Sequence, residues 1–326
     1  MKKSLLILII VMIALAAPVA FAEDEGVIST YCKDAEAFDF EAQTKCNVHS
    51  YVLSANKVMS DSSQTLVENI KDPSAFVVDL TESRKAFNVA WILASSLLVL
   101  MATYAGYMYI SSAGFPEKRE QAQNQLKSII FAAIFIVALM PFIILTNEIG
   151  NATTNMFYSN YLTGNEFQDL TTLDTFTNIG GDTTNEYSKS LERLGHLTTT
   201  NSLFIDAANT HLISLHGRKV VLMFLVAIAP LALLLYYFEP TKEFGKLFGY
   251  LYFIELFIPV VFILVLWFAS VLAPTGLDPT DQVSKMTILT ASLFFGVFLH
   301  VVIVLAGVGK AVFNVMMERR ILSRRV

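Results

Sequence analysis

Charge is what this chain has least of. Asp, Glu, Lys and Arg make up 16% of its 326 residues, where soluble chains average about 25%. The net charge of −5 is mild, and no broad field of one sign runs along the chain, which excludes the basic face of a duplex DNA binder. Cysteine is nearly missing: only Cys32 and Cys46 are present. With His49 they make three ligands and lack a fourth, so no metal site is expected. Catalytic patterns are missing too. Gly307-Val308-Gly309-Lys310 has the end of a phosphate loop, but Val304 stands where the first glycine belongs and Ala311 replaces Ser/Thr. His211 and His216 are five apart and share no helix face, and nothing marks a nucleophile elbow. The expectation is a chain that is no enzyme and carries no cofactor.

What is abundant is apolar surface: 54% hydrophobic residues, with 25 Phe and 12 Tyr. From Ala86 to Ile110 there is no charge, and from Ser128 to Leu145 there is none again. Each run is long enough to cross a hydrocarbon core, which takes about 17–25 residues of helix. Between them lies a polar turn, Ser111 to Lys127, so the pair is a membrane hairpin with a charged tip. Three further runs follow, Val220 to Phe238, Leu247 to Leu272 and Met286 to about Gly309. The fold class expected is all-α: a polytopic membrane protein with five transmembrane helices after a cleaved signal peptide.

Residues 1–22 have a Lys2-Lys3 start, an apolar centre and a small-x-small close at Ala20-Phe21-Ala22, the pattern of a signal peptide; an uncleaved anchor is the rival reading. Residues 23–85 form an exported segment. In an oxidising compartment Cys32 and Cys46 read as a disulfide, closing a loop of about 15 residues and stabilising it by about 3 kcal/mol. Apolar spacing at Val52, Ala55 and Met59, and at Leu66 and Ile70, suggests short amphipathic helices, broken at Asp72-Pro73. The hairpin occupies 86–146. In its tip, Gly114 stops the first arm and Pro116 suits the first position of the next helix, with Glu117 and Glu120 in the turn the dipole favours. Pro141 is expected to kink the second arm.

Residues 147–217 are a large extracytoplasmic loop rich in Thr, Asn, Ser and Gly. Asn151-Ala152-Thr153 is a glycosylation sequon. A stripe of Phe204, Ala208, Leu212 and Leu215 suits a membrane surface or a protein neighbour. Residues 218–310 hold three spans, and 311–326 a basic tail. Lys118, Arg119 and Lys127 at the tip, Lys242 and Lys246 in the next short loop, and Arg319, Arg320, Arg324 and Arg325 in the tail all fall on one side. The positive-inside rule then places the amino end outside and the carboxyl end in the cytoplasm.

Ionisable residues within spans default to functional candidates. Glu255 lies eight residues, and His300 about ten, from the cytoplasmic ends of neighbouring antiparallel spans, so both sit at a depth of roughly 12–15 Å at 1.5 Å per residue. They form either a buried hydrogen bond between two helices or part of a proton route. Ala102 with Gly106, and Gly245 with Gly249, are small pairs suited to close helix contact. Tyr104, Tyr107 and Tyr109, and Tyr236, Tyr237 and Phe238, suit interfacial belts.

Two resemblances rest on these residues. The hairpin resembles type IV secretion pilins through Tyr109, Ser112, Ala113, Gly114, Glu117, Lys118, Ala122 and Lys127. The whole layout is similar to the polytopic inner-membrane subunit of type IV secretion and conjugation machines, the TrbL family, including a span with central Pro230, a short inner loop with Thr241, and a long aromatic-rich span. That likeness implies a channel or scaffold subunit moving DNA or protein. It further implies partners among other machine subunits and a cytoplasmic ATPase facing Lys118, Arg119 and Lys127, and it is compatible with a homo-oligomer. The alternatives are a secondary transporter using Glu255 and His300, and a pilin-like structural membrane protein.

Overall fold

The computed structural model describes residues 39–171, 187–238, 241–273 and 279–323. The expected signal peptide, Cys32, the Gly180-Gly181 stretch, Arg324 and Arg325 lie outside the described residues. All regular structure among the described residues is helical. In chain order the helices are α1 (Phe40–Lys71), a single 3-10 turn (Pro73–Ala75), α2 (Ser83–Ser111), α3 (Pro116–Tyr161), α4 (Asn165–Leu170), α5 (Tyr187–Tyr237), α6 (Lys242–Leu272) and α7 (Pro279–Ser323). Five of them, α2, α3, α5, α6 and the Val283–Lys310 stretch of α7, are long and apolar enough to cross a membrane.

α1 is one helix of 32 residues rather than two short ones. Asp39 caps it, its carboxylate accepting from Glu41 N and Ala42 N at 3.0 Å each. The polar run Ser60–Ser63 contains no Gly or Pro, and Ser62 and Thr65 turn their hydroxyls back onto the Val58 and Asp61 carbonyls. Such back-bonding lets short polar residues sit inside a helix. The break falls at Asp72-Pro73, where proline starts the 3-10 turn.

At the hairpin tip α2 ends at Ser111 and α3 starts with Pro116 at its first position, after Phe115 in an extended conformation. α3 continues through Pro141 to Tyr161, well past the expected end of the span at 146. α5 likewise begins at Tyr187, so most of the described part of 147–217 is helical. Thr inside these helices bonds to the carbonyl one turn back, as Thr153 does to Ile149 and Thr198 to Leu194, while Asn147, Asn151 and Asn201 bond to other segments. That bonding is why a composition suited to loops is carried on helix.

The chain divides into two compact units. In the first (1–69, 165–209 and 268–292), α1 packs on the first half of α5, with Asn56 and Asn201 fully buried and joined at 2.9 Å. The second (70–164, 210–267 and 293–326) holds the hairpin and two apolar clusters. One is built around Phe87, Ile143, Leu222, Val226 and Leu256, the other around Ala94, Leu98, Ala132, Ile136 and Leu234. The apolar window of α6 is 44% buried against 17% in α3, so α6 is the most enclosed span. Its close approach to α5 is set by Gly245, where an added Cβ would lie 2.5 Å from the Tyr236 backbone. Gly249 and Gly106 face open space.

Candidate functional site

Between α1 and α2 the chain runs without helix from Val77 to Leu80. Phe76, Val78 and Leu80 are buried at alternate positions while Asp72 and Asp79 stay exposed. The exposed carboxylates anchor the two ends. Asp72 accepts from the Ser74 hydroxyl at 2.6 Å and from its N–H at 2.8 Å. Asp79 accepts from the Thr81 hydroxyl at 2.6 Å and from its N–H at 2.9 Å. These bonds, the hydroxyl first and the backbone N–H second, hold both carboxyls below the ordinary carboxylate range.

Buried irregular backbone leaves polar groups that something must satisfy. Here side chains of α3 and α5 do so. Asn147 and Asn151 each donate from Nδ2 to the Val78 carbonyl at 3.1 Å, and Asn151 Oδ1 accepts from Val78 N at 3.3 Å. The Tyr158 hydroxyl donates to the Lys71 carbonyl. Lys219 Nζ donates to Ser74 O at 2.6 Å, and Arg218 Nη2 to Phe76 O at 2.7 Å. Asn151 Nδ2, the atom a glycan would take, is thus engaged in packing this segment.

Arg218, 2% exposed, was not among the residues the sequence singled out, and it is the centre of the site. Its Nη1 donates to the Glu255 carbonyl at 2.7 Å. In an α-helix that carbonyl would accept from the N–H four residues on, but residue 259 is proline. The guanidinium therefore supplies the donor that Pro259 lacks. The signal was present as a cation bordering a charge-free run, with a proline four residues after a buried acid.

The structure brings Glu255 and His300 together. His300 Nε2 lies 3.3 Å from both carboxylate oxygens, and both side chains are largely buried. His300 Nδ1 is 2.9 Å from Ser214 Oγ, so three helices meet at one imidazole. A neutral ring donates from Nε2 to Glu255 and accepts the Ser214 proton at Nδ1. A protonated ring donates from both nitrogens, and Ser214 Oγ accepts. Phe262 stands edge-on to His300 at 5.8 Å and to His211 at 4.7 Å. His211 is 1% exposed, with no hydrogen-bond partner on either ring nitrogen among the described residues.

The tip residues serve the turn. Arg119 Nη2 donates to the Tyr109 hydroxyl at 3.0 Å and lies 4.8 Å from that ring. Lys118 Nζ sits 5.0 Å over Phe115. Lys127 is exposed, as are Gly114, Pro116 and Glu117. Cys46 lies in α1, and its expected partner Cys32 is outside the described residues. Gly307, singled out for its likeness to a phosphate loop, lies where the Tyr250 ring leaves no room for a Cβ. Among the described residues no group of three or more His, Cys, Asp or Glu side chains is placed to hold a metal.

Five apolar helices, with a buried polar cluster carried on α3, α5, α6 and α7, define a multi-pass helical membrane protein. A family profile described as TrbL/VirB6 plasmid conjugal transfer like protein matches residues 84–325, the spans and the tail together. The chain belongs to that family, which implies a membrane subunit of a multi-subunit conjugation or type IV secretion machine. Neither a curated protein nor a solved structure matches it.

Proposed function

We propose that this chain is a membrane-embedded channel or scaffold subunit of a type IV secretion-like machine, moving DNA or protein across the cytoplasmic membrane. The observation that carries this reading is the extent of the family match, which runs through all five candidate spans rather than the hairpin alone. A pilin-like role needs only two spans. The buried cluster supports a scaffold: Arg218, Asn147 and Asn151 fix an irregular segment among the helices, and Glu255 with His300 ties α6 to α7. The tip and tail cations face the cytoplasm and the ATPases there.

Crosslinking in native membranes, followed by affinity purification, tests this directly. Recovery of a cytoplasmic secretion ATPase, with or without DNA, is expected. Recovery of a small homo-oligomer alone would sink the reading. A secondary transporter is the second reading, favoured by the Glu255–His300 contact. It requires proton-coupled uptake that Glu255→Gln abolishes while the assembly of the chain is unchanged.

A further inference from the structure

Beside the hairpin tip, α2, α3 and the last turn of α5 enclose a cavity of about 840 Å³, within the range of small-molecule sites, roughly 300–1,000 Å³. Its two ends differ. The deep end is apolar, lined by Leu97, Leu98, Met101, Ala132 and Leu234 from the interior of the spans. Leu97 and Leu100 are exposed there, so the cavity opens sideways at the level where spans meet hydrocarbon. The shallow end is polar. Glu117, Gln121, Asn124 and Ser128 follow one face of α3 into it, with Glu120 and Gln125 beside them.

Charge is sorted around the tip. Lys118 and Arg119 are absent from the lining and lie against Phe115 and Tyr109. Glu117 and Glu120 line the cavity, and the ion pairs among the described residues include neither. A polar end with two carboxylates and amide donors, continuous with an apolar end open to the bilayer, suits an amphiphile. Its head must carry a cation beside an acceptor-rich group, and its tail must be hydrocarbon.

We propose that this cavity binds an amine-bearing phospholipid: an ammonium at Glu117 and Glu120, the phosphate near the amides of Asn124 and Gln125, and one acyl chain along Leu97, Met101 and Leu234. The membrane is the source of the occupant because the opening faces it. The site rests on α2 and α3 crossing the membrane and is independent of what the machine moves. A lipid held there wedges the tip of the hairpin against the end of α5, so the lipid composition around the machine would reach the loop that faces its cytoplasmic partners.

The test uses the full chain in nanodiscs of equal phosphatidylethanolamine and phosphatidylglycerol, washed with mild detergent, with retained lipid counted by native mass spectrometry. One retained ethanolamine lipid per chain is expected. Glu117→Gln with Glu120→Gln lowers retention at least about tenfold, the effect of losing a charge-assisted bond. Ser128→Trp, which puts a bulky ring between the polar and apolar ends, abolishes it, and Lys118→Gln on the other side of the tip leaves it unchanged. On the unmodified chain, phosphatidylcholine, whose head has no N–H, competes less well than phosphatidylethanolamine. Retention without headgroup preference, preference for phosphatidylglycerol, or a tightly held basic polypeptide in place of lipid would overturn the proposal.

Discussion

Arg218 illustrates how a single residue resolves two problems at once. Pro259 leaves the Glu255 carbonyl without its helical donor, and the irregular turn leaves the Phe76 carbonyl without one; the guanidinium reaches both at 2.7 Å. Each is a charge-assisted bond of about 1.5–3 kcal/mol. Arg218→Met should therefore destabilise the chain in detergent by about 3 kcal/mol or more. In a Pro259→Ala background residue 259 has an N–H of its own for the Glu255 carbonyl, so the same substitution should cost about 1 kcal/mol less, a coupling that a double-mutant cycle measures. Additive costs would mean that Arg218 does not act through that carbonyl. Glu255 and His300 were legible in the sequence because charge inside an apolar run stands out. Arg218 was not, because it borders such a run, where a cation reads as an interfacial anchor. Its role depends on a fold-back of the 72–82 segment that no periodicity announces.

At the scale of elements, the 72–82 segment is tied down by local turns at its ends and by side chains of α3 and α5 in its middle. Asp72 and Asp79 have carboxyls held below their ordinary value by hydroxyl and backbone donors. A group whose folded value is depressed contributes stability above its unfolded value, about 3.9, and loses that contribution as pH falls through the folded one. Hydrogen-exchange protection factors across 72–82, corrected for the pH dependence of intrinsic exchange, should therefore be flat from about pH 8 to 5 and should fall as pH drops below about 4. Asp72→Asn with Asp79→Asn should flatten that acid limb, and an unchanged limb would place the acid sensitivity elsewhere. Helix contacts give a second comparison. Gly245→Ala should cost about 1–3 kcal/mol by overpacking against Tyr236, whereas Gly249→Ala, in open space, should be neutral or slightly stabilising through helix propensity. The sequence marked both glycines equally, since spacing shows which residues are small but not which face meets a neighbour. Spans were legible from apolar length alone. The long helical extensions of α3 and α5 were not, because Thr and Asn favour loops until their hydroxyls or amides find partners.

For the whole molecule, the spans and family agree on a multi-pass subunit, and orientation is the property on which every partner assignment turns. The proposed orientation puts Lys118, Arg119, Lys127, Lys242, Lys246 and the tail arginines inside. It also puts Arg218 and Lys219, in the middle of α5, at the outer border of its apolar run, against the charge rule. Their bonds to Phe76, Glu255 and Ser74 carbonyls account for that placement: these two cations serve the fold rather than the topology. Thiol accessibility separates the cases and tests the disulfide in the same experiment. With an impermeant maleimide on intact cells, the native chain should stay unlabelled until an impermeant reductant frees Cys32 and Cys46. Ser188→Cys, exposed near the start of α5, should be labelled without reductant, and Lys118→Cys only once the membrane is opened. Labelling of Lys118→Cys in intact cells would invert the chain. It would put the acidic cavity at the tip on the outer leaflet, and would leave both the hairpin tip and the tail without a cytoplasmic ATPase to meet.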